Sequence, residues 1–418
     1  MALMQQFLKK VKVTNFKSFN ETEIEFNKFN VIIGSNASGK SNVTQIFTFL
    51  KDISEHGLEN AISLQGGIEH ITNIAIGTSK ELSIELSLGN ISKYAPNSFH
   101  MRRKPFFGLV TDLNYKFSLK FGGSHGYKIT EDRVIFSMNI VGKKLADNHY
   151  SGTVTLSNVK GKIKTDLDFP EKLEIKESDV FPNYLKHDKI KSKELILNSP
   201  YPVYAVFPQW MGFTDNLMIY DFDPKLPKKA VPITGKSELE PDGSNVSLVL
   251  KDVLKTTDSK RKFLNLVKEL LPFIDTMNIQ KFADKSLIFK IKEKYFENHY
   301  LPSFLLSDGT VTITSLILAL YFEDNGLIII EEPERNIHPA LLIKLIAMMK
   351  EASNKKQIII TTHSPEVVKY AGIENIITIL RDKEGFSQIE KPAEKGKIIK
   401  FLENEMSVSD LYIDNILT

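Results

Sequence analysis

Apolar residues recur along this chain with two periods. Val11-Lys12-Val13-Thr14 and Glu23-Ile24-Glu25-Phe26 alternate as half-buried strands do, and Val31-Ile32-Ile33 is a short unbroken apolar run, the mark of a strand covered on both faces. Past a glycine-rich stretch, Val43, Ile46, Phe47 and Leu50 return at helical spacing. From about Gly89 to Ser199 the texture turns to strands: Asn114–Phe121, Val134–Ile140 and Thr153–Leu156 all alternate. From about Tyr201 apolar runs and helical patterns alternate again. Strands are predicted over Pro202–Phe207, Leu287–Lys292, Leu327–Ile330, Ile358–Ile360 and Ile376–Ile379, with helices opening near Ser244, Asp258, Gly309, Pro339, Pro365 and Lys395.

This pattern predicts an α/β fold with a mixed sheet, interrupted by a β-rich insertion. The expected division is residues 1–90, the insertion at 91–200, and residues 201–418. Composition narrows the class without naming a function. Hydrophobic residues make up 42% and charged residues 25%, enough for a full core, and a net charge of +3 singles out no partner. No apolar run reaches the eighteen or so residues of a membrane-spanning helix. Zero cysteines exclude disulfides and thiolate zinc sites, and with no secretory pattern at the start the expected compartment is the cytoplasm.

Four short segments carry chemistry. Gly34-Ser35-Asn36-Ala37-Ser38-Gly39-Lys40-Ser41 fits G-x-x-x-x-G-K-[ST], between a buried strand and an amphipathic helix. Glycines let backbone amides curl around phosphate oxygens, a helix N-terminus adds its positive end, Lys40 supplies mobile charge and Ser41 a hydroxyl for Mg²⁺. Leu327–Ile330 ends in Glu331-Glu332, an apolar strand delivering two carboxylates: Glu331 for the metal, directly or through water, and Glu332 as general base. Leu306-Ser307-Asp308-Gly309-Thr310 opens an apolar helix and is a second anion site by the same physics, although a serine cap begins many ordinary helices. His363, directly after Ile358–Ile360 and Thr361-Thr362, stands where it can sense a γ-phosphate or serve only as a satisfied polar residue.

Their order along the chain resembles ABC-type ATPases, and most of all the heads of the SMC, RecF and OLD (overcoming lysogenization defect) group. The resemblance is carried by Val13–Phe19, Gly34–Asn42, Asp242-Gly243-Ser244-Asn245, Leu306–Thr310, Glu331–Glu334 with Ile337-His338-Pro339, Thr362–Pro365 and the tail Ser407–Leu417. It implies ATP and Mg²⁺ as cofactors and a homodimer closing around two nucleotides. In that arrangement Ser307 and Gly309 act on the nucleotide of the other subunit, while Lys40, Ser41, Glu331, Glu332 and His363 act within one chain, and Asp308 and Asn42 are further nucleotide-binding candidates. Lys17 would lie near the nucleotide, and Gln65 is a candidate second metal contact. The resemblance further implies a separately encoded effector such as a nuclease or toxin, in bacterial anti-phage defence. A RecF-like DNA-binding repair ATPase is the competing expectation, and a transporter subunit is the weaker third, since Ser41 and Leu306 lie too far apart. Leu217–Asp223 imitates the strand-plus-DxD feature of a Toprim nuclease but lacks its glutamate motif.

Overall fold

The computed structural model describes residues 7–89, 98–100, 106–122, 126–142, 150–180, 190, 193–198, 211–282, 285–296, 299–394 and 408–413. The strand expected over Pro202–Phe207 and the helix expected from Lys395 lie outside them. The chain divides into two compact units: Met1–Lys28, Asn36–Leu217 and Ile379–Glu390 form the first, and Phe29–Ser35, Met218–Thr378 and Lys391–Thr418 the second.

The first unit is built on an antiparallel sheet. Its strands are β1 (Phe7–Phe16), β2 (Phe19–Glu25), β4 (Leu82–Gly89), β5 (Ser98–His100), β6 (Phe106–Phe121), β7 (Tyr127–Gly142), β8 (Tyr150–Val159) and β9 (Lys162–Asp168), in the order β2-β1-β4-β6-β7-β8-β9 with β5 on β6. The strands of the β-rich segment thus continue the sheet that β1, β2 and β4 begin. The alternation read from the sequence is the cause: Leu113, Tyr115, Phe117 and Leu119 are buried on β6, Val134, Phe136, Met138 and Ile140 on β7, and Ile84 and Leu86 on β4. Helix α1 (Lys40–His56) buries Val43, Ile46, Phe47 and Leu50 as its spacing predicts, and Phe49 and Ile53 besides. Phe49 meets Phe16 and Phe47 meets Phe26, each pair with ring centroids 5.9 Å apart.

The second unit holds a second sheet. Strands β10 (Leu217–Tyr220), β15 (Leu327–Glu331), β16 (Gln357–Thr361), β3 (Phe29–Ile33) and β17 (Ile376–Arg381) lie in the order β10-β15-β16-β3-β17. Of these, β3, β15, β16 and β17 run parallel. The end of β17 and the strand that follows it, β18 (Ser387–Glu390), fall in the first unit. Strands β3, β15 and β16 are buried over nearly their whole length, which is why they read as unbroken apolar runs. A smaller antiparallel sheet orders β11 (Val231–Pro232), β13 (Ser286–Glu293) and β12 (Ile274–Phe282), with β14 (Tyr300–Pro302) on β13.

Helices α2 (Val246–Val253), α3 (Thr257–Leu270), α4 (Asp308–Tyr321), α5 (Pro339–Ala352) and α6 (Pro365–Ala371) complete this unit. Helix α4 is buried from Thr310 through Leu320, all the way round, so only its two ends reach solvent. No helix among the described residues is long and apolar enough to cross a membrane.

Candidate functional site

The parallel strands set the geometry of the second unit. Glu331 pairs with Thr361, and Thr361 pairs with Ile32, so β3, β15 and β16 end level with one another. Gly34-Ser35, Glu331-Glu332 and Thr362-His363 therefore leave the sheet at one carboxyl edge, the edge at which open parallel sheets bind ligands. Backbone bonds hold this edge together: Glu332 N donates to Thr361 O (2.9 Å) and Thr362 N to Ile32 O (3.1 Å).

Glu332 has a φ of 43°, a left-handed conformation costly for a non-glycine residue. The turn after it is tight, with Arg335 N donating to Glu332 O at 3.0 Å. His363 Nε2 lies 3.8 Å from Glu332 Oε1. Glu334 turns inward, where the Thr362 hydroxyl donates to its Oε1 and its buried Oε2 has no partner. Burial raises the Glu334 carboxyl above the usual range, while the bonds from Thr362 and from the backbone amides of Glu334 and His363 oppose that rise. One carboxylate thus ties the turn after β15 to the segment that carries His363.

Ser307 caps α4, its hydroxyl oxygen accepting from Thr310 N at 3.2 Å. Ser307 itself is exposed, and Phe304 and Leu305 just before it are 51% and 62% exposed. Asp308 is paired with Lys228 at 2.5 Å, which offsets a negative charge at this helix end. Gly309 is packed under the loop after β15: a Cβ there would come within 2.6 Å of the Asn336 carbonyl oxygen. Ser307 to Gly309 are thus gathered with Lys228 and Asn336. Asn245 of the Asp242–Asn245 motif orders its own loop, donating to the carbonyls of Lys236 and Glu238 and accepting from Glu240 N.

In the first unit the loop continues from Asn36 into α1. Ala37 (φ 61°) and Gly39 (φ 118°) both take left-handed conformations, and Lys40, Ser41 and Asn42 form the first turn of the helix. Only glycine fits at position 39, where a Cβ would lie 2.8 Å from Ser18 Oγ and still closer to Ser387 Oγ. Arg381 Nε donates to Ala37 O (3.0 Å) and the Ser387 hydroxyl to Ser38 O. Pinning these two carbonyls fixes the planes of the peptides that carry the Ser38 and Gly39 amides. Asn42 Nδ2 donates to Ser18 Oγ, and Ser18 shares a hydrogen bond with Ser387, each at 2.7 Å. Lys17, at φ 51° in the β1–β2 turn, is half-buried, and burial pushes its ammonium down. Gln65 donates to Asp52 at 3.2 Å. Ser387 and Arg381 carry no signal in the sequence, since both reach the loop from more than 340 residues away.

In the first unit the loop fits nucleotide phosphates: Ser38 Oγ is buried without a hydrogen-bond partner in its middle, and the exposed Ser41 hydroxyl is a hard oxygen donor that suits Mg²⁺. In the second unit the Glu331 carboxylate is a donor of the same kind. Among the described residues no three His, Cys, Asp or Glu side chains converge. Mg²⁺ requires no such cage, being held by one or two protein oxygens, waters and substrate phosphates.

A glycine loop that leads from a parallel strand into a helix N-terminus defines a P-loop nucleotide-binding fold, in an α/β chain with parallel and antiparallel sheets. Residues 7–209 match a family model described as AAA ATPase domain, and residues 212–369 one described as AAA domain, putative AbiEii toxin, Type IV TA system. Together these two matches to AAA-type domains span most of the chain. Over 90% of its length it is 21% identical to an ATP/GTP phosphatase of Helicobacter pylori, 89% of which is covered. A stretch of 59 residues is 41% identical to the Septu protein PtuA of Bacillus thuringiensis, spanning 14% of this chain and 15% of that protein. The Smc head bound to the C-winged helix domain of ScpA superposes with a TM-score of 0.47 at 15% identity, covering 92% of this chain and 97% of that one.

Proposed function

We propose that this chain hydrolyses ATP with Mg²⁺, and that two copies close around two nucleotides to control a separate effector, a nuclease or toxin, in bacterial defence against phage. The observation that carries hydrolysis is Glu332 poised beside His363 at the carboxyl edge of the parallel strands. In this reading the amides of Gly34 through Asn42 cradle the phosphates, and Lys40 follows charge as it develops on the γ-phosphate. Ser41 and Glu331 hold Mg²⁺, which when bound neutralises phosphate charge. Glu332 accepts the proton of the attacking water, and His363 donates to the γ-phosphate. Lys17, desolvated in its turn, lies toward the nucleotide.

Dimer closure is supported by the end of α4. Ser307, Asp308 and Gly309 present a helix N-terminus beside two exposed apolar side chains, Phe304 and Leu305, which suits a surface that meets a second copy. The short PtuA similarities support the defence setting, and a cytoplasmic location goes with it.

Glu332→Gln tests the reading. It should bind ATP as the parent does, lose turnover by about two to three orders of magnitude, and accumulate a dimer with ATP that ADP does not produce. A parental hydrolysis rate, or an unchanged mass by light scattering with ATP, would sink it. Copurification from the native operon tests the effector. ATP-stimulated, salt-sensitive retention of DNA with no protein partner would replace that part of the reading with a DNA-binding one.

A further inference from the structure

A glutamate side chain turns about three torsions, so nothing in Glu332 itself aims its carboxylate at a water. Arg335 does so here. Its Nε and Nη2 both donate to Glu332 Oε2, at 3.3 and 3.1 Å, while Nη1 donates to Asp221 Oδ1 at 3.1 Å. Asp221 directly follows β10, the neighbour of β15 in the sheet, and its own amide donates to Pro241 O at 3.0 Å. The guanidinium is therefore fixed from both sides, one carboxylate at each edge of its planar fork.

With Oε2 engaged, Oε1 is the oxygen left facing His363, across 3.8 Å. That gap is too long for a direct hydrogen bond, which leaves Oε1 able to accept from a water at the side of the pair. Glu334 and Glu332 also repel one another, and Glu334 is turned inward toward Thr362.

We infer that Arg335, braced by Asp221, is a positioning residue that turns Glu332 so that Oε1 meets the attacking water beside His363. This rests on the reading of Glu332 as the general base. All three side chains are more than a third exposed, so the pairs add little to stability and their effect lies in orientation. The brace also gives Asp221, in the segment Leu217–Asp223 that imitates a strand-plus-DxD metal motif, a part that requires no metal.

Steady-state hydrolysis and equilibrium ATP binding of five variants test it: Glu332→Gln, Arg335→Ala, Arg335→Lys, Asp221→Asn and the double variant Glu332→Gln/Arg335→Ala. Arg335→Ala should lower kcat about 10- to 100-fold with KM and ATP affinity within about 2-fold of the parent, the signature of a misaimed group. Arg335→Lys keeps the charge without the fork and should recover part of the loss, and Asp221→Asn should fall between. The double variant should be no slower than Glu332→Gln, because an absent base cannot be misaimed.

Parental kcat in Arg335→Ala, or an additive loss in the double variant, overturns the inference. If Arg335→Ala also loses ATP binding, Asp221→Asn decides, and parental kcat there overturns the brace. Parental turnover in Glu332→Gln overturns the general-base reading instead, and the brace falls with it.

Discussion

Asp132 shows how much one buried side chain can demand. It is 2% exposed on β7, yet its carboxylate accepts from the Tyr115 hydroxyl (3.0 Å), Asn158 Nδ2 (3.0 Å) and Ile196 N (2.9 Å). Burial pushes it up to about 6, above its ordinary 3.8, against the pull of those three bonds. The folded state therefore holds a proton more tightly than the unfolded chain. This contribution is complete below about pH 4 and is lost as pH rises through about 6, by about 3 kcal/mol. Asparagine can keep every contact: its oxygen replaces the one that faces Asn158 and Ile196, and its amide can donate to the Tyr115 hydroxyl. Asp132→Asn should match the parent at pH 4 and gain on it toward pH 8, read from urea melts across that range. A constant difference would show that the charge is not what burial penalises.

At the scale of elements, the loops after the parallel strands matter more than the strands. Gly309 stands in the first turn of α4, where alanine would ordinarily favour a helix by about 1 kcal/mol. The contact with the Asn336 carbonyl reverses that expectation, because backbone on both sides leaves nothing flexible to give way. Gly309→Ala should keep ATP binding and lose hydrolysis at least about 10-fold by displacing the end of α4 from the loop after β15. Unchanged turnover would show that this packing has no part in catalysis. The β17–β18 hairpin has a comparable role for the P-loop, since Arg381 and Ser387 orient the peptides around Ser38.

At the scale of the whole molecule, the proposed composite site makes a prediction that no single-chain site can. In that proposal Lys40→Ala removes the charge that serves the phosphates and Ser307→Arg blocks the end of α4, so each variant alone should be inactive. Mixed, they can form a dimer with one site carrying both lesions and one carrying neither. Hydrolysis should therefore reappear on mixing, up to about half the parental rate per mixed dimer. Two inactive variants that stay inactive together, while still pairing by mass, would place Ser307 and Lys40 in the same site of one chain.

The sequence by itself determined whatever depends on near neighbours. A left-handed glycine before a helix, a serine cap three residues ahead of its amide and a strand of leucine and isoleucines ending in glutamate are local devices, so Gly34–Ser41, Ser307 and Leu327–Glu331 were legible, along with the alternation of β6 and β7. Only the tertiary structure decided which distant groups complete them. Ser387 reaches Ser18 across 369 positions, Arg335 reaches Asp221 across 114, and Thr362 meets Glu334 across 28. Such pairings depend on strand order and register, and no periodicity along the chain records them. The strands of the β-rich segment were visible in the same way, but their joining the sheet of β1, β2 and β4 was settled by edge-to-edge hydrogen bonding, which the pattern of one strand cannot specify.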